Sequence, residues 1–279
     1  MKLAMYDAGA GPRAGVIVGD DVLDAGVDAP LIELIADWER MKPVIEANLA
    51  GARAIPSKDV RLLAPIARPG KIFAIGLNYA DHIAESGMET PAHQVWFTKA
   101  ATSVNGPYDP VLIARGAPFV DYEAEMVVVI GKRAKHVARA DAAAYVFGYC
   151  VGNDVTERMW QHRTTQWSLG KSFDTHAPFG PWITTADDVA DPHALAIECR
   201  VNGEPRQSSN TSHLVFDVFA QIEHLSAAMT LEPGDVIFTG TPAGVGAAMD
   251  PRRFLKAGDV VRCEVEGLGF IENSLAAET

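Results

Sequence analysis

From Lys71 onward the sequence keeps alternating between short apolar runs and Gly/Pro turns: KIFAIG, VWFTKA, DPVLIA, EMVVVIG, YVFGYCVGND, GPWITT, ALAIECRVNGEPRQ, DVIFTG and DVVRCEVEG. Runs this short, with few long helical patterns between them, suit strands better than helices, so a mostly-β fold of mixed sheets is expected. Asn202-Gly203 between alternating flanks is a two-residue hairpin signal, and Pro205 marks its second strand as an edge. Helices are expected at 138–145, 156–164 and 214–229, the last carrying an apolar stripe of Leu214, Val218, Ile222, Leu225 and Met229.

The part before Lys71 has a different character. Apolar pieces at 2–6, 14–18 and 22–25 suggest a small antiparallel start. Leu31, Ile35, Trp38, Met41 or Ile45, and Leu49 then recur at helical spacing, with Pro43 expected to split the stretch into two helices. Residues 55–71 carry three prolines, which places a domain boundary near 60–70. The expected organisation is an α+β, mostly β chain: a small N-terminal α+β domain at 1–65 and a larger, mostly-β domain at 66–279.

A chain of 279 residues that is 48% hydrophobic and 22% charged has a globular composition. A formal charge of -12 without a Lys/Arg cluster argues against a nucleic-acid partner. Cys150, Cys199 and Cys263 are odd in number and far apart, which reads as buried thiols in a reducing compartment. The N-terminus lacks a continuous apolar core, and no apolar run approaches the ~18 residues of a membrane span. A cytoplasmic protein without a membrane partner is expected.

The chemistry concentrates around VDYEAEMVVVIG, residues 120–131. Strand alternation puts Glu123 and Glu125 on one face and Tyr122, Ala124, Met126, Val128 and Ile130 on the other. Two like charges on one face are either solvated or neutralised by a cation. Asp154 ends another apolar run, either as a third carboxylate of the same site or as the cap of a helix starting near Thr156. Oxygen-only ligands without Cys or His select Mg²⁺, Mn²⁺ or Ca²⁺. His82 and Glu85, three apart, can form a water-activating pair or an ordinary surface pair. Arg158 and Gln161 share a helical face beyond Asp154, where they can clamp a carboxylate or remain surface groups, and Lys171 is a second cationic position. The run TGTPAGVG at 239–246 lacks the P-loop pattern; a tight turn presenting the Thr241 hydroxyl and backbone N–H groups to a small anion is expected.

Taken together, GLNYADHIAES, FTKA, VDYEAEMVVVIGK, GYCVGNDVTERMWQ, QWSLGKSFDTHAPFGPW and GDVIFTGTPAGVG, in this order, resemble the fumarylacetoacetate hydrolase superfamily over residues 65–275. The resemblance implies mixed β-sheets rolled around a central barrel-like core, a homodimer, and Mg²⁺ or Mn²⁺ in the site, with Ca²⁺ as a crystallographic substitute. It assigns the metal carboxylates to Glu123, Glu125 and Asp154, the catalytic dyad to His82 and Glu85, and a catalytic lysine to Lys171. Substrate contacts fall on Arg158, Gln161, Thr241 and Lys99. The implied activity is hydrolysis of a C–C bond in a β-diketo acid of the acylpyruvate or fumarylpyruvate type, a reaction of aromatic catabolism, through an enolate that the cation stabilises. Tautomerisation, isomerisation or decarboxylation of oxaloacetate-like or 2-hydroxyhepta-2,4-diene-1,7-dioate-like acids is the alternative. A non-catalytic protein with a structural metal site is the alternative of another class. Trp96, Trp160, Trp167 and Phe173 are candidates for the distal substrate pocket or for the core.

Overall fold

The computed structural model describes residues 1–279. Its centre is the strand Ala124–Ile130, every residue of which is buried. Alternation explains how: Met126, Val128 and Ile130 enter one core, while Val127 and Val129 enter a second core on the opposite face. This strand pairs antiparallel with Val146–Asn153 on one side and with Val236–Phe238 on the other. Ile72–Gly76 then runs parallel to Val236–Phe238.

These strands belong to a 12-stranded mixed sheet. A separate five-stranded sheet packs on one of its faces, and Ile197, Cys199, Val261, Cys263 and Ile271 from that sheet share the core of Met126 and Val128. The other face is covered by the helices Leu31–Ala36 and Trp38–Leu49, whose Leu31, Ile35 and Ile45 pack with Val127 and Phe179. The mixed sheets are as expected, but the barrel-like core is corrected: the large sheet is open, with Ala54–Pro56 at one edge and Val95–Thr98 at the other. The sheet also runs on across the expected boundary near 60–70, since Lys2–Asp7 pairs with Ala177–Thr185, Lys2 lying opposite Thr184.

Several local expectations change for identifiable reasons. The helix break falls at Asp37 (φ -123°, ψ 37°), and Pro43 sits inside Trp38–Leu49. The stretch 138–145 is a 3₁₀ helix, Arg139–Tyr145. At 156–164 the helix is only Arg158–Gln161, because Thr156 and Glu157 pair with Asp121 and Val120 instead. The last helix, Val218–Ala228, starts later than its stripe because Asp217 caps it, accepting from the Ala220 N–H at 2.8 Å. Asn202 (φ 53°) and Gly203 (φ 77°) form the expected hairpin turn, and the Pro205 strand is an edge of the five-stranded sheet. All three cysteines are buried free thiols, as their apolar settings imply.

The pairing directions bring one end of the large sheet into focus. The start of Ala124–Ile130 and the ends of Ile72–Gly76, Val146–Asn153 and Val236–Phe238 coincide there. Glu123 directly precedes Ala124 and Asp154 directly follows Asn153, while His82 and Thr241 lie in the segments that continue beyond Gly76 and Phe238.

Candidate active site

Glu123, Glu125 and Asp154 converge at this end of the sheet, each offering one oxygen, all within 4.8 Å of one another. Asp154 does not cap a helix. Its oxygens accept instead from Lys99 Nζ at 2.5 Å and Lys171 Nζ at 2.7 Å, and the helix cap is Glu157, which accepts from the Trp160 N–H. Lys171 Nζ also reaches Glu123 Oε2 at 2.6 Å, and Arg158 Nη1 lies 2.6 Å from Glu123 Oε1. Arg158 is held in turn by Asp121 Oδ2 at 2.9 Å and by Gln161 Oε1 at 3.1 Å.

The electrostatics divide the carboxylates. Burial works against ionisation of Glu123, but Lys171 and Arg158 outweigh it and hold the group down to about 2. Glu125 has no cationic partner: burial, Asp154 and Glu123 push it well above the ordinary carboxylate range. Lys171 is raised, since Asp154 and Glu123 overcome the effect of burial, whereas Lys99 is lowered by burial in spite of Asp154. A divalent cation fits this arrangement. The donors are all oxygen, each carboxylate oxygen has a second lone pair, and Glu125 lacks a counter-charge that such an ion supplies.

A cavity of about 390 Å³ opens onto this cluster. Eight of the ten expected site residues line it: His82, Glu85, Glu123, Glu125, Arg158, Gln161, Lys171 and Thr241. Asp154 is fully buried beneath them, and Lys99, expected at the substrate, sits behind Asp154 without lining the cavity. His82 and Glu85 lie on the helix Ala80–Ser86, with Nδ1 3.4 Å from Glu85 Oε2. Of the four candidate aromatics only Trp167 lines the cavity; Trp160 packs edge-on against Phe173, and Trp96 against Phe73.

The loop at 239–246 meets anions through its N–H groups, but the anions are the protein's own. Gly240 N–H donates to Glu125 Oε2 at 2.7 Å, Gly244 N–H to Glu85 at 3.0 Å and Gly246 N–H to Asp121 Oδ1 at 2.8 Å. Gly240 has φ +104°, and a Cβ there would lie 2.8 Å from Asn78 Cβ, so the turn that aims its N–H at Glu125 requires glycine. The Thr241 hydroxyl is likewise engaged, donating to Ala124 O at 2.9 Å and accepting from Gln207 Nε2 at 2.8 Å.

Sequence reasoning missed Asp121, which is fully buried and ties Arg158 to the loop through Gly246 and Ala247. The signal was present: Asp121, Glu123 and Glu125 share the same period of two.

The model of the family described as fumarylacetoacetate (FAA) hydrolase C-terminal matches residues 71–276. The chain belongs to the fumarylacetoacetate hydrolase family. Within it, the chain is 44% identical, over 94% of its length and 84% of the relative's, to a Rattus norvegicus protein named mitochondrial oxaloacetate tautomerase. A fumarylacetoacetate hydrolase from Exiguobacterium antarcticum superposes with a TM-score of 0.90 at 39% identity, both chains being fully covered. A maleylpyruvate hydrolase of a Sphingobium species, solved with manganese(II) and pyruvate, gives 0.86 at 37% identity, again with full coverage of both. The expectation of a cytoplasmic protein is overturned by these comparisons, because relatives over 94–99% of the chain are named mitochondrial. No helix is long and apolar enough to cross a membrane. Members of this family are enzymes, and this chain carries the acidic triad at which a metal can act.

Proposed function

We propose that this family member catalyses keto–enol tautomerisation of a 2-oxo acid of the oxaloacetate type, with Mg²⁺ or Mn²⁺ held by Glu123, Glu125 and Asp154. The observation that carries the reading is the 44% identity, over nearly the whole chain, to a relative named oxaloacetate tautomerase. The main expectation from sequence, C–C bond hydrolysis, gives way to its alternative. A divalent cation at the three carboxylates supplies a Lewis acid for the carboxylate and keto oxygens of such an acid.

The chain's own residues account for the rest. Lys171, buried between Glu123 and Asp154, places a fixed positive charge beside the oxygen that carries negative charge while the proton is off C3. Arg158 and Gln161 orient the substrate from the same wall, with Arg158 fixed by Asp121. His82 moves the proton at C3: Glu85 faces Nδ1, which keeps the proton on that nitrogen and leaves Nε2 as the base. Glu85 is held in turn by the Gly244 N–H, so the base is oriented from the loop.

Hydrolysis is the second reading, favoured by the maleylpyruvate hydrolase likeness at 37% identity; there the same His82 would activate water. Product analysis separates the two. The Mg²⁺-loaded enzyme is given enol-oxaloacetate, followed by its absorbance, and an acylpyruvate, followed by pyruvate release. Accelerated enol decay with background pyruvate release is expected. Acylpyruvate cleavage faster than enol decay would overturn the proposal in favour of the hydrolase.

A further inference from the structure

The cations around the cavity are unequally committed. Lys171 is shared by Glu123 and Asp154, and Arg158 by Asp121 and Glu123, so these lining groups already have acidic partners. Arg252 also lines the cavity, yet it forms no ion pair and no hydrogen bond with any carboxylate. The neighbouring Arg253 is committed elsewhere, 3.0 Å from Glu204. Arg252 is exposed, whereas Glu123, Glu125 and Lys171 are buried, so the free cation stands at the solvent end of the cavity and the carboxylate cluster at the closed end.

The backbone that carries Arg252 is anchored on its C-terminal side. Arg253 N–H donates to Gly246 O at 3.0 Å and Leu255 N–H to Val120 O at 2.8 Å, while Phe254 packs on Phe119 with ring centroids 5.0 Å apart. Val120 lies directly before Asp121, and Gly246 N–H donates to that same carboxylate, so the segment is fastened to the framework that fixes Arg158. Arg252 also acts electrostatically inside the cavity: His162, another lining residue, is lowered by burial and by the charges of Arg158, Lys171 and Arg252.

We propose that Arg252 is the subsite for the second carboxylate of the substrate, so that the enzyme selects 2-oxo dicarboxylic acids over 2-oxo acids ending in a neutral group. This rests on the tautomerase reading above and adds the group that reads the far end of the substrate. With one end of a short acid at the buried cluster, its other end extends toward the solvent side, where the guanidinium offers paired N–H donors to a carboxylate. A neutral end gains nothing from that charge.

The test pairs two substrates of similar size, oxaloacetate and acetylpyruvate, which carry a carboxylate and an acetyl group at the same position. Loss of a charge-assisted hydrogen-bonded pair is worth about 10- to 100-fold. In Arg252→Gln the ratio of kcat/KM for oxaloacetate to that for acetylpyruvate is expected to fall by about that factor, mainly through the KM of oxaloacetate. An equal fall for both substrates, or an unchanged ratio, would overturn the proposal. A binding arm keeps this separate from the reaction assigned above. Calorimetric titration of the Mg²⁺-loaded protein with malate and with 2-hydroxybutanoate should show Arg252→Gln weakening malate selectively. If the wild type tautomerises neither substrate, the tautomerase reading fails while this comparison still decides the subsite: selective loss of malate supports it, and equal affinities in both proteins refute it.

Discussion

Glu125→Gln should separate the fold from its cation. Glu125 is buried with two like charges, on Glu123 and Asp154, whose ligand oxygens lie within 4.8 Å of its own. At that separation each unit-charge repulsion is worth about 3 kcal/mol for an effective dielectric constant near 20. Lys171 offsets part of this, and protonation relieves more, since Glu125 is pushed well above the ordinary carboxylate range. Glutamine keeps an oxygen to accept from Gly240 N–H, now 2.7 Å from Glu125 Oε2. The metal-free variant should therefore be more stable than the metal-free wild type by about 1–2 kcal/mol, a rise in Tm of roughly 2–3 °C for a chain of this size. The cation response should move the other way. Mn²⁺ at a hundredfold excess over its Kd stabilises the wild type by about 2.7 kcal/mol, roughly 5 °C, and most of that should vanish in the variant. Scanning calorimetry of EDTA-stripped protein with added Mn²⁺ measures both. A metal-free Glu125→Gln protein that melts well below wild type while keeping the full Mn²⁺ shift would refute the reasoning.

Lys171→Met leaves Glu123 and Asp154 without the ammonium now 2.6 and 2.7 Å from their oxygens. A loss of about 3–5 kcal/mol in denaturant unfolding is expected, with Mn²⁺ restoring part of it; an unaffected midpoint would contradict the pairing. Far from the cavity, the Arg13 guanidinium, followed by the Tyr6 hydroxyl at 2.6 Å, helps hold Asp24 down to about 2 in spite of burial. Because the folded state binds this proton less tightly than the unfolded chain, the stabilisation is complete above an ordinary carboxylate pKa near 4 and disappears as pH falls through about 2. Asp24 is 28% exposed, so after allowance for screening Asp24→Asn should cost about 1–2 kcal/mol at pH 7 and only a small fraction of that near pH 2 in urea unfolding.

The parts of this structure that follow from backbone periodicity were legible in the sequence. Alternation along 120–131 placed Met126, Val128 and Ile130 opposite the glutamates, and the two cores lie on those two faces. The Asn202-Gly203 hairpin was equally clear, because positive φ at both positions narrows the choice of residues. Openness of the sheet was not legible, since closure depends on whether Ala54–Pro56 and Val95–Thr98 meet, and no local pattern encodes that. Lys99 and Asp121 were misjudged or missed for a related reason. Their roles come from partners distant in sequence: Asp154 for Lys99, and Arg158 with the loop at 246–247 for Asp121. Pro43 shows the limit of a breaker rule, as the chain leaves helical geometry at Asp37 instead.

The most direct measurement is the decay of enol-oxaloacetate absorbance, recorded for the Mg²⁺-loaded enzyme, the EDTA-stripped enzyme and Lys171→Met. Acceleration by the loaded wild type is predicted, with a drop of at least about 100-fold both on stripping the metal and on removing the lysine charge. Equal rates in all three preparations, or no acceleration over solvent in the loaded enzyme, would contradict a cation-assisted tautomerase built on Glu123, Glu125, Asp154 and Lys171.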